Sequence, residues 1–171
     1  MKKLNLLTLF LLCLFLCCEK DDVCPASTLT TPHVILIFND ASNIDNSKSV
    51  RRLSVIGEDN TVEIISESTT DSIVLPLRFQ DTTTFATTRF ILTKDADYDT
   101  DDDELTVSNQ DIIEFSYKPE FVYVSRACGY KSIFNQLEIT LEDDGDNWML
   151  YSQILNETVE NENEAHVVIY H

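Results

Sequence analysis

Apolar side chains recur at every second position in several stretches of this sequence, and this alternation limits the possible folds more than any other feature. One stretch runs from Ile73 to Phe79, with an apolar residue at each odd position. The others cover 113–117, 137–141 and 166–170. Successive side chains of a β-strand point to opposite faces, so each stretch predicts a strand with one buried face.

Further apolar runs raise the number of predicted strands to about ten. They cover 33–38, 53–56, 62–65, 85–92, 121–124 and 148–155. Their spacing along the chain is typical of a β-sandwich. We therefore predict an all-β fold, an antiparallel β-sandwich of about 8–10 strands, with an antiparallel β-barrel as the alternative.

Three local signals refine this prediction. Pro76 cannot donate a ladder hydrogen bond, so it places its strand at a sheet edge or a bulge. Helical spacing is absent over several turns, and the best candidate for a single helical turn is 130–137. The pair Asp144-Gly145, between two apolar runs, is typical of a hairpin turn.

The first residues have the pattern of a targeting segment. Lys2 and Lys3 precede an uncharged run of about fifteen residues, too short for a membrane-spanning helix and typical of a secretory signal. The run ends in Leu14-Phe15-Leu16-Cys17-Cys18, which resembles a bacterial lipobox. Cys18 is the predicted lipidation site, because cleavage before it leaves a small residue at the preceding position; Cys17 is the alternative.

The residues after this cysteine are acidic. Glu19-Lys20-Asp21-Asp22 resembles the export signal that sends lipoproteins of Bacteroidota to the outer leaflet of the outer membrane, and a solvated acidic linker is the alternative. The predicted organisation is a signal peptide over 1–17, a lipidated tether with the export signal over 18–27, and one domain over 28–171. The resemblance implies an outer-membrane lipoprotein, on the periplasmic or the cell-surface side.

Cys24 and Cys128 are the two cysteines left in the domain and its tether. A pair of thiols in an exported chain is most simply a disulfide, and a reactive Cys128 nucleophile is the alternative. The chain from Cys18 to Cys24 spans at most roughly 20 Å. If Cys24 is bonded to Cys128, the loop with Cys128 and Gly129 lies near the membrane, and the opposite end is free to meet partners.

The charge balance excludes one class of partner. The chain has 30 acidic and 12 basic residues, a formal net charge of −18, whereas nucleic-acid binding needs clustered cations. The densest acidic stretch is 95–104, where Asp95, Asp97, Asp99 and Asp101 are candidate calcium ligands. The stretch lacks the glycine and glutamate positions of an EF-hand, so solvated loops are the alternative. No other cofactor is predicted.

Lys and Arg are absent from 132–171, but several precede that segment among aromatic residues. Arg126, Tyr130 and Lys131 are therefore candidate ligands for an anionic or sugar-like group. Aromatic residues in such a stretch also commonly belong to core strands, with the cations at the strand ends. The aromatic residues are Phe115, Tyr117, Phe121, Tyr123, Tyr130 and Phe134.

Common catalytic motifs are absent from the sequence. It has no Gly-x-Ser-x-Gly elbow, no phosphate-binding glycine loop and no His-Glu-x-x-His motif. His33, His166 and His171 are scattered, and the last two would lie on opposite faces of a regular strand. The sequence favours a non-catalytic protein, although an enzyme or a calcium-dependent carbohydrate-binding module using 95–104 is the alternative.

Four motifs together support one further comparison. They are 18–25 (Cys-Glu-Lys-Asp-Asp-Val-Cys-Pro), 124–131 (Val-Ser-Arg-Ala-Cys-Gly-Tyr-Lys), 144–148 (Asp-Gly-Asp-Asn-Trp) and 162–167 (Glu-Asn-Glu-Ala-His-Val). The chain resembles a family of small flavobacterial lipoproteins of unknown function. This resemblance supports the Cys24–Cys128 disulfide and implies a membrane lipid anchor but no activity. We expect a binding or accessory module, with an envelope protein complex as its partner.

Overall fold

A computed structural model of the protein describes residues 23–28, 30–79, 83–96 and 107–171. The predicted signal peptide, Cys18 and the export signal lie outside these residues. The described part contains ten β-strands and no helix. The strands are β1 (Val34–Asp40), β2 (Asn43–Ser47), β3 (Val50–Gly57), β4 (Glu63–Thr70), β5 (Ser72–Leu75), β6 (Ala86–Lys94), β7 (Asn109–Ser125), β8 (Gly129–Leu141), β9 (Tyr151–Ile154) and β10 (Val167–Tyr170).

The first sheet has the strand order β2-β1-β10-β9, with β5 also paired to β1. One edge of β1 is shared: its first four residues pair with β5 and its last two with β2. Its other edge pairs with β10 in parallel, from Leu36 opposite Val167 to Asn39 opposite Tyr170. This parallel pair was not expected, because the sequence pattern predicted antiparallel pairing throughout.

The second sheet is antiparallel throughout and has the order β4-β3-β6-β7-β8. Its longest strands are β7, with 17 residues, and β8, with 13 residues. The two form a hairpin closed by the turn at 126–128. Every other described strand has only four to nine residues. The extra length of β7 and β8 positions the candidate functional site.

The two sheets pack face to face around one apolar core, which confirms the predicted β-sandwich. Within the described residues neither sheet closes into a barrel. Alternation predicted the buried face correctly in β5, where Ile73 and Leu75 are buried and Val74 is exposed. The strand ends at Leu75, because Pro76 cannot continue the ladder. The largest fully buried side chains are Tyr117, Phe38, Phe90, Phe115 and Phe134.

The helical turn expected at 130–137 is wrong, because these residues belong to β8. The misleading signal was the spacing of three between the buried residues Phe134 and Leu137. Between them Gln136 has a φ of +55°, and the pairing with β7 shifts register across this segment. A β-bulge at this position moves the buried face from even to odd residues. The apparent helical spacing is thus two strand segments out of phase.

The hairpin expected at Asp144-Gly145 is also wrong, although the chain turns there. Gly145 has a φ of +92°, which glycine adopts without a Cβ clash. The strands on either side, β8 and β9, lie in different sheets, so the segment is a connection between sheets. Asp111 holds this connection by accepting hydrogen bonds from the backbone N–H groups of Met149 (2.7 Å) and Trp148 (3.3 Å).

The last strand differs from its predicted pattern in burial. All four residues of β10 are buried, whereas alternation predicted one exposed face. β10 lies inside the first sheet between β1 and β9, and the ring of Tyr170 stacks on Tyr151 with ring centroids 4.4 Å apart. A neighbour on each edge and this aromatic cover account for the burial of Tyr170.

Candidate functional site

The β7–β8 hairpin continues past the part of the sandwich that the first sheet covers. Along β7, Phe115 and Tyr117 are fully buried, but Phe121 and Tyr123 on the same face are 51% and 58% exposed. Along β8 the change is equally sharp, from fully buried Phe134 to Tyr130, which is 66% exposed. The core-facing side of the hairpin therefore extends into solvent.

Four exposed aromatic side chains form one contiguous surface on this side, which we call the aromatic face: Phe79, Phe121, Tyr123 and Tyr130. The ring centroids of Phe79 and Phe121 are 4.6 Å apart, and those of Tyr123 and Tyr130 are 5.4 Å apart. Phe121 and Tyr130 meet edge to face at 6.4 Å. Such contacts hold the rings in a defined arrangement while leaving about half of each exposed.

The disulfide lies at the end of the same hairpin. Cys24 is bonded to Cys128, with an S–S distance of 2.02 Å and a Cα–Cα distance of 4.8 Å, as the cysteine count predicted. The backbone N–H of Cys128 donates to Ser125 Oγ at 3.0 Å, and this hydrogen bond stabilises the turn. Gly129 follows with a φ of +70°. The segment at 23–28 is thus fixed to the hairpin tip.

The outer edge of β8 is covered by two other parts of the chain. Ser132 N–H donates to Thr31 Oγ1 at 2.9 Å, and Phe134 and Val159 exchange two backbone hydrogen bonds. The segment after β9 therefore covers this edge of β8 with its backbone. An uncovered edge invites pairing with another chain, so this arrangement limits association through β8.

A cleft of ≈ 560 Å³ lies beside the disulfide. The exposed residues Val23 and Pro25 form one wall, and the turn of the hairpin forms the other. Arg126 lines this cleft and is exposed. A second open cleft, ≈ 670 Å³, lies at the bulge of β8 beside Lys118 and Phe121.

The three candidate ligand residues take different positions on the hairpin. Tyr130 belongs to the aromatic face, and Arg126 lies in the turn. Lys131, the next residue along β8, reaches away from Tyr130 and donates from Nζ to the backbone oxygen of Glu160 at 3.0 Å. The structure therefore places Arg126 and Tyr130 at the same end but engages the ammonium of Lys131 with a neighbouring segment.

The candidate calcium ligands are described only in part. Asp97, Asp99 and Asp101 lie outside the described residues. Asp95 is buried, and its Oδ1 accepts a hydrogen bond from Arg51 Nε at 2.5 Å, so this carboxylate is already neutralised by a guanidinium. Across 23–28, 30–79, 83–96 and 107–171, no three His, Cys, Asp or Glu side chains are grouped closely enough to hold a metal ion.

The other buried ionisable side chains make structural hydrogen bonds. His166 Nδ1 accepts from Ile35 N–H at 3.1 Å, and His171 Nε2 lies 3.0 Å from the backbone oxygen of Lys48. Burial lowers the pKa of both histidines. Burial raises the pKa of Asp111, partly offset by its backbone hydrogen bonds. These groups hold strands and loops in place, and none of them lines either cleft beside the hairpin.

The third histidine, His33, joins the start of β1 to the segment after β9. The backbone N–H of His33 and its ring Nδ1 lie 2.8 Å and 2.6 Å from the same oxygen, Glu162 Oε1. The hydrogen bonds from the His33 ring and backbone lower the pKa of Glu162. This carboxylate therefore holds the segment after β9 against the start of β1.

Comparison with protein families identifies the chain. The model of the Family of unknown function (DUF6452) matches residues 52–171, which includes β4 to β10 and most of β3. The chain belongs to this family. Membership supports the expected relation to a family of unknown function and assigns no activity. The match includes Cys128 but not Cys24.

Searches among curated proteins and among solved structures give no match. The described segments contain no helix able to span a membrane.

The aromatic face was only partly visible in the sequence. The sequence shows six aromatic residues between 115 and 134, and the structure divides them equally: Phe115, Tyr117 and Phe134 are core residues, and the other three are exposed. Phe79 was missed, because alternation predicted it on the buried face of its strand. The one usable signal was the length of the apolar alternation in β7, since strands usually have about 3–10 residues.

Proposed function

We propose that this protein is a lipid-anchored component of the bacterial cell envelope, and that its sandwich is a non-catalytic binding or accessory module. The observation that carries the proposal is the position of Cys24. Its disulfide ties the start of the domain to the hairpin tip. A lipid on Cys18, six residues earlier, would hold that tip within roughly 20 Å of a membrane.

The amino-terminal sequence supports the anchor. A basic start, an apolar run and the lipobox-like segment before Cys18 form a lipoprotein signal, and the acidic residues after it favour the outer membrane. The disulfide fits an oxidising compartment outside the cytosol. We therefore propose an outer-membrane lipoprotein of a flavobacterium-like organism, facing either the periplasm or the cell surface.

The binding role is supported by how the chain uses its reactive groups. Asp95, Asp111, His166 and His171 are buried and each bonds a neighbouring segment, an arrangement that suits stability. The sandwich end far from the disulfide carries exposed apolar side chains beside the acidic connection at 142–146, among them Leu150 (60% exposed). We assign this end to contact with an envelope protein complex.

The anchor is tested with two matched variants of the full chain expressed in a lipoprotein-processing bacterium. Cys18→Ser should release the protein from the membrane fraction and remove the acylated amino-terminal peptide from its mass spectrum. Cys17→Ser, the control, should change neither result. Release by Cys17→Ser alone would assign the lipid to Cys17. Retention of both variants in the membrane would contradict the anchor.

The accessory role is tested by affinity purification from intact cells combined with protease shaving. The affinity tag belongs in the exposed turn at 59–61, because the ring of His171 is buried and a tag beside it would disturb the core. Copurification of an envelope complex with the wild type, lost with Leu150→Glu, would support the assigned binding end. Identical copurification with both proteins would contradict it. Loss of the tag on shaving would identify the cell-surface side.

A further inference from the structure

Among the residues that the structure describes, the aromatic face remains exposed to solvent over about half of its apolar surface. It continues the core side of the β7–β8 hairpin, and its four rings are 48% to 66% exposed. Contiguous apolar surfaces of this kind usually mark a contact site. Two of the four are tyrosines, whose apolar ring and polar hydroxyl suit a boundary between an apolar and an aqueous phase.

The position of this face restricts what it can meet. Tyr123 and the segment at 23–28 line the same cleft, and the disulfide fixes that segment to the turn. If Cys18 carries a lipid, as proposed above, only six residues separate the lipid from Cys24. The aromatic face would then stay within reach of the bilayer for as long as the lipid remains inserted.

The charge around this face is also suitable for a lipid surface. Two exposed cations lie beside it in the sequence, with Arg78 directly before Phe79 and Arg126 in the turn between Tyr123 and Tyr130. They stand out in a chain whose formal net charge is −18. The nearest carboxylate along β7, Glu120, accepts a hydrogen bond from Asn135 Nδ2 at 2.9 Å. Cations beside exposed aromatic rings favour an interface with anionic headgroups.

We propose that the aromatic face inserts into the interfacial layer of the bilayer that holds the lipid anchor. This inference rests on the proposed lipid anchor and adds a second, protein-mediated contact to it. The contact fixes the orientation of the sandwich, with the hairpin tip on the membrane and the Leu150 end directed away from it. The lipid alone would leave the sandwich free to rotate relative to the membrane.

The test places a tryptophan on the aromatic face of the full-length, lipidated chain. Tyr123→Trp replaces one exposed aromatic ring with another and should leave the fold intact. The protein is reconstituted in vesicles of phosphatidylglycerol and dibrominated phosphatidylcholine, whose bromines quench tryptophan within the bilayer. We expect a blue-shifted emission that is quenched several-fold more than in the control variant.

The matched control is Tyr151→Trp. Tyr151 is 44% exposed and pairs with Tyr170, at the end of the first sheet opposite the start of β1. The native Trp148 is buried and gives both variants the same background. Equal quenching of the two variants, in protein that floats with the vesicles and carries the lipid, would overturn the membrane contact and leave the anchor intact.

Two other outcomes would also overturn the contact. Protein that lacks the lipid and does not float refutes both the anchor and the contact. A Tyr123→Trp emission that is blue-shifted but unquenched, together with a doubled mass in light scattering, would assign the face to a second copy of the chain. Quenching of Tyr123→Trp that falls to the control level with Phe79→Ser and Phe121→Ser would confirm that the aromatic face as a whole makes the contact.

Discussion

Removal of the disulfide should lower the free energy of unfolding substantially, because the unfolded chain would gain conformational entropy. Cys24 and Cys128 are separated by 104 positions, so the bond restricts a long loop when the protein is unfolded. The chain-entropy model assigns about 4 to 5 kcal/mol to a loop of this size. Thr31 and His33 hold the same segment by hydrogen bonds, so the folded state of Cys24→Ser/Cys128→Ser should change little beyond the segment before Thr31.

The measurement is urea and thermal unfolding of the purified chain, with mass spectrometry confirming the bond in the wild type. The double variant should melt roughly 10 to 20 °C below the oxidised wild type. Wild type reduced before unfolding is the control and should match the double variant, because both lack the same constraint. Oxidised wild type and double variant with equal midpoints would refute the assignment of this stability to the unfolded chain.

Two buried sites give further predictions. Because burial lowers the pKa of His166 and His171, the unfolded chain takes up protons below pH 6.5 that the folded chain does not; the stability present above that pH should therefore fall on acidification. Urea midpoints measured from about pH 7 to 5 check this, and His171→Asn should lessen the fall while carboxylate titration remains. Asp111→Ala should destabilise the fold by about 2 to 5 kcal/mol, because it leaves the N–H groups of Trp148 and Met149 buried without an acceptor. Asp111→Asn retains one acceptor and should cost less, and equal unfolding free energies for the two variants would contradict this account.

Strand β5 and the first half of β7 could be predicted together with their buried faces, because one face of each lies against the core. Ile73 and Leu75 lie against the core and Val74 lies outside it, as alternation requires. The same argument holds for Ile113 and Phe115 in β7. The disulfide could be predicted because only Cys24 and Cys128 remain once the cysteines of the predicted signal and lipidation site are set aside, and a thiol pair in an exported chain commonly oxidises. In each case a local rule, either residue periodicity or thiol chemistry, is sufficient.

The remaining features depend on contacts between distant parts of the chain. The bulge at Gln136 reverses the buried face of β8 within one strand, and a periodicity argument interprets that reversal as a helix. The exposure of Tyr123 and Tyr130 depends on where the first sheet ends, and neither residue carries that information. The parallel pairing of β1 with β10 is equally non-local, because Leu36 and Val167 are distant in sequence.

The pairing of β1 with β10 joins the two ends of the domain in one sheet. The family match begins at residue 52, so a protein cut to the matched residues would lose β1 and β2. β10 would keep only β9 as a neighbour, Val167 and Ile169 would lose Leu36 and Phe38 as their partners on β1, and Cys128 would have no Cys24 to bond. The residues that the family model matches are therefore fewer than those that build the sandwich, because the first sheet is complete only when β1 pairs with β10 near the other end of the domain.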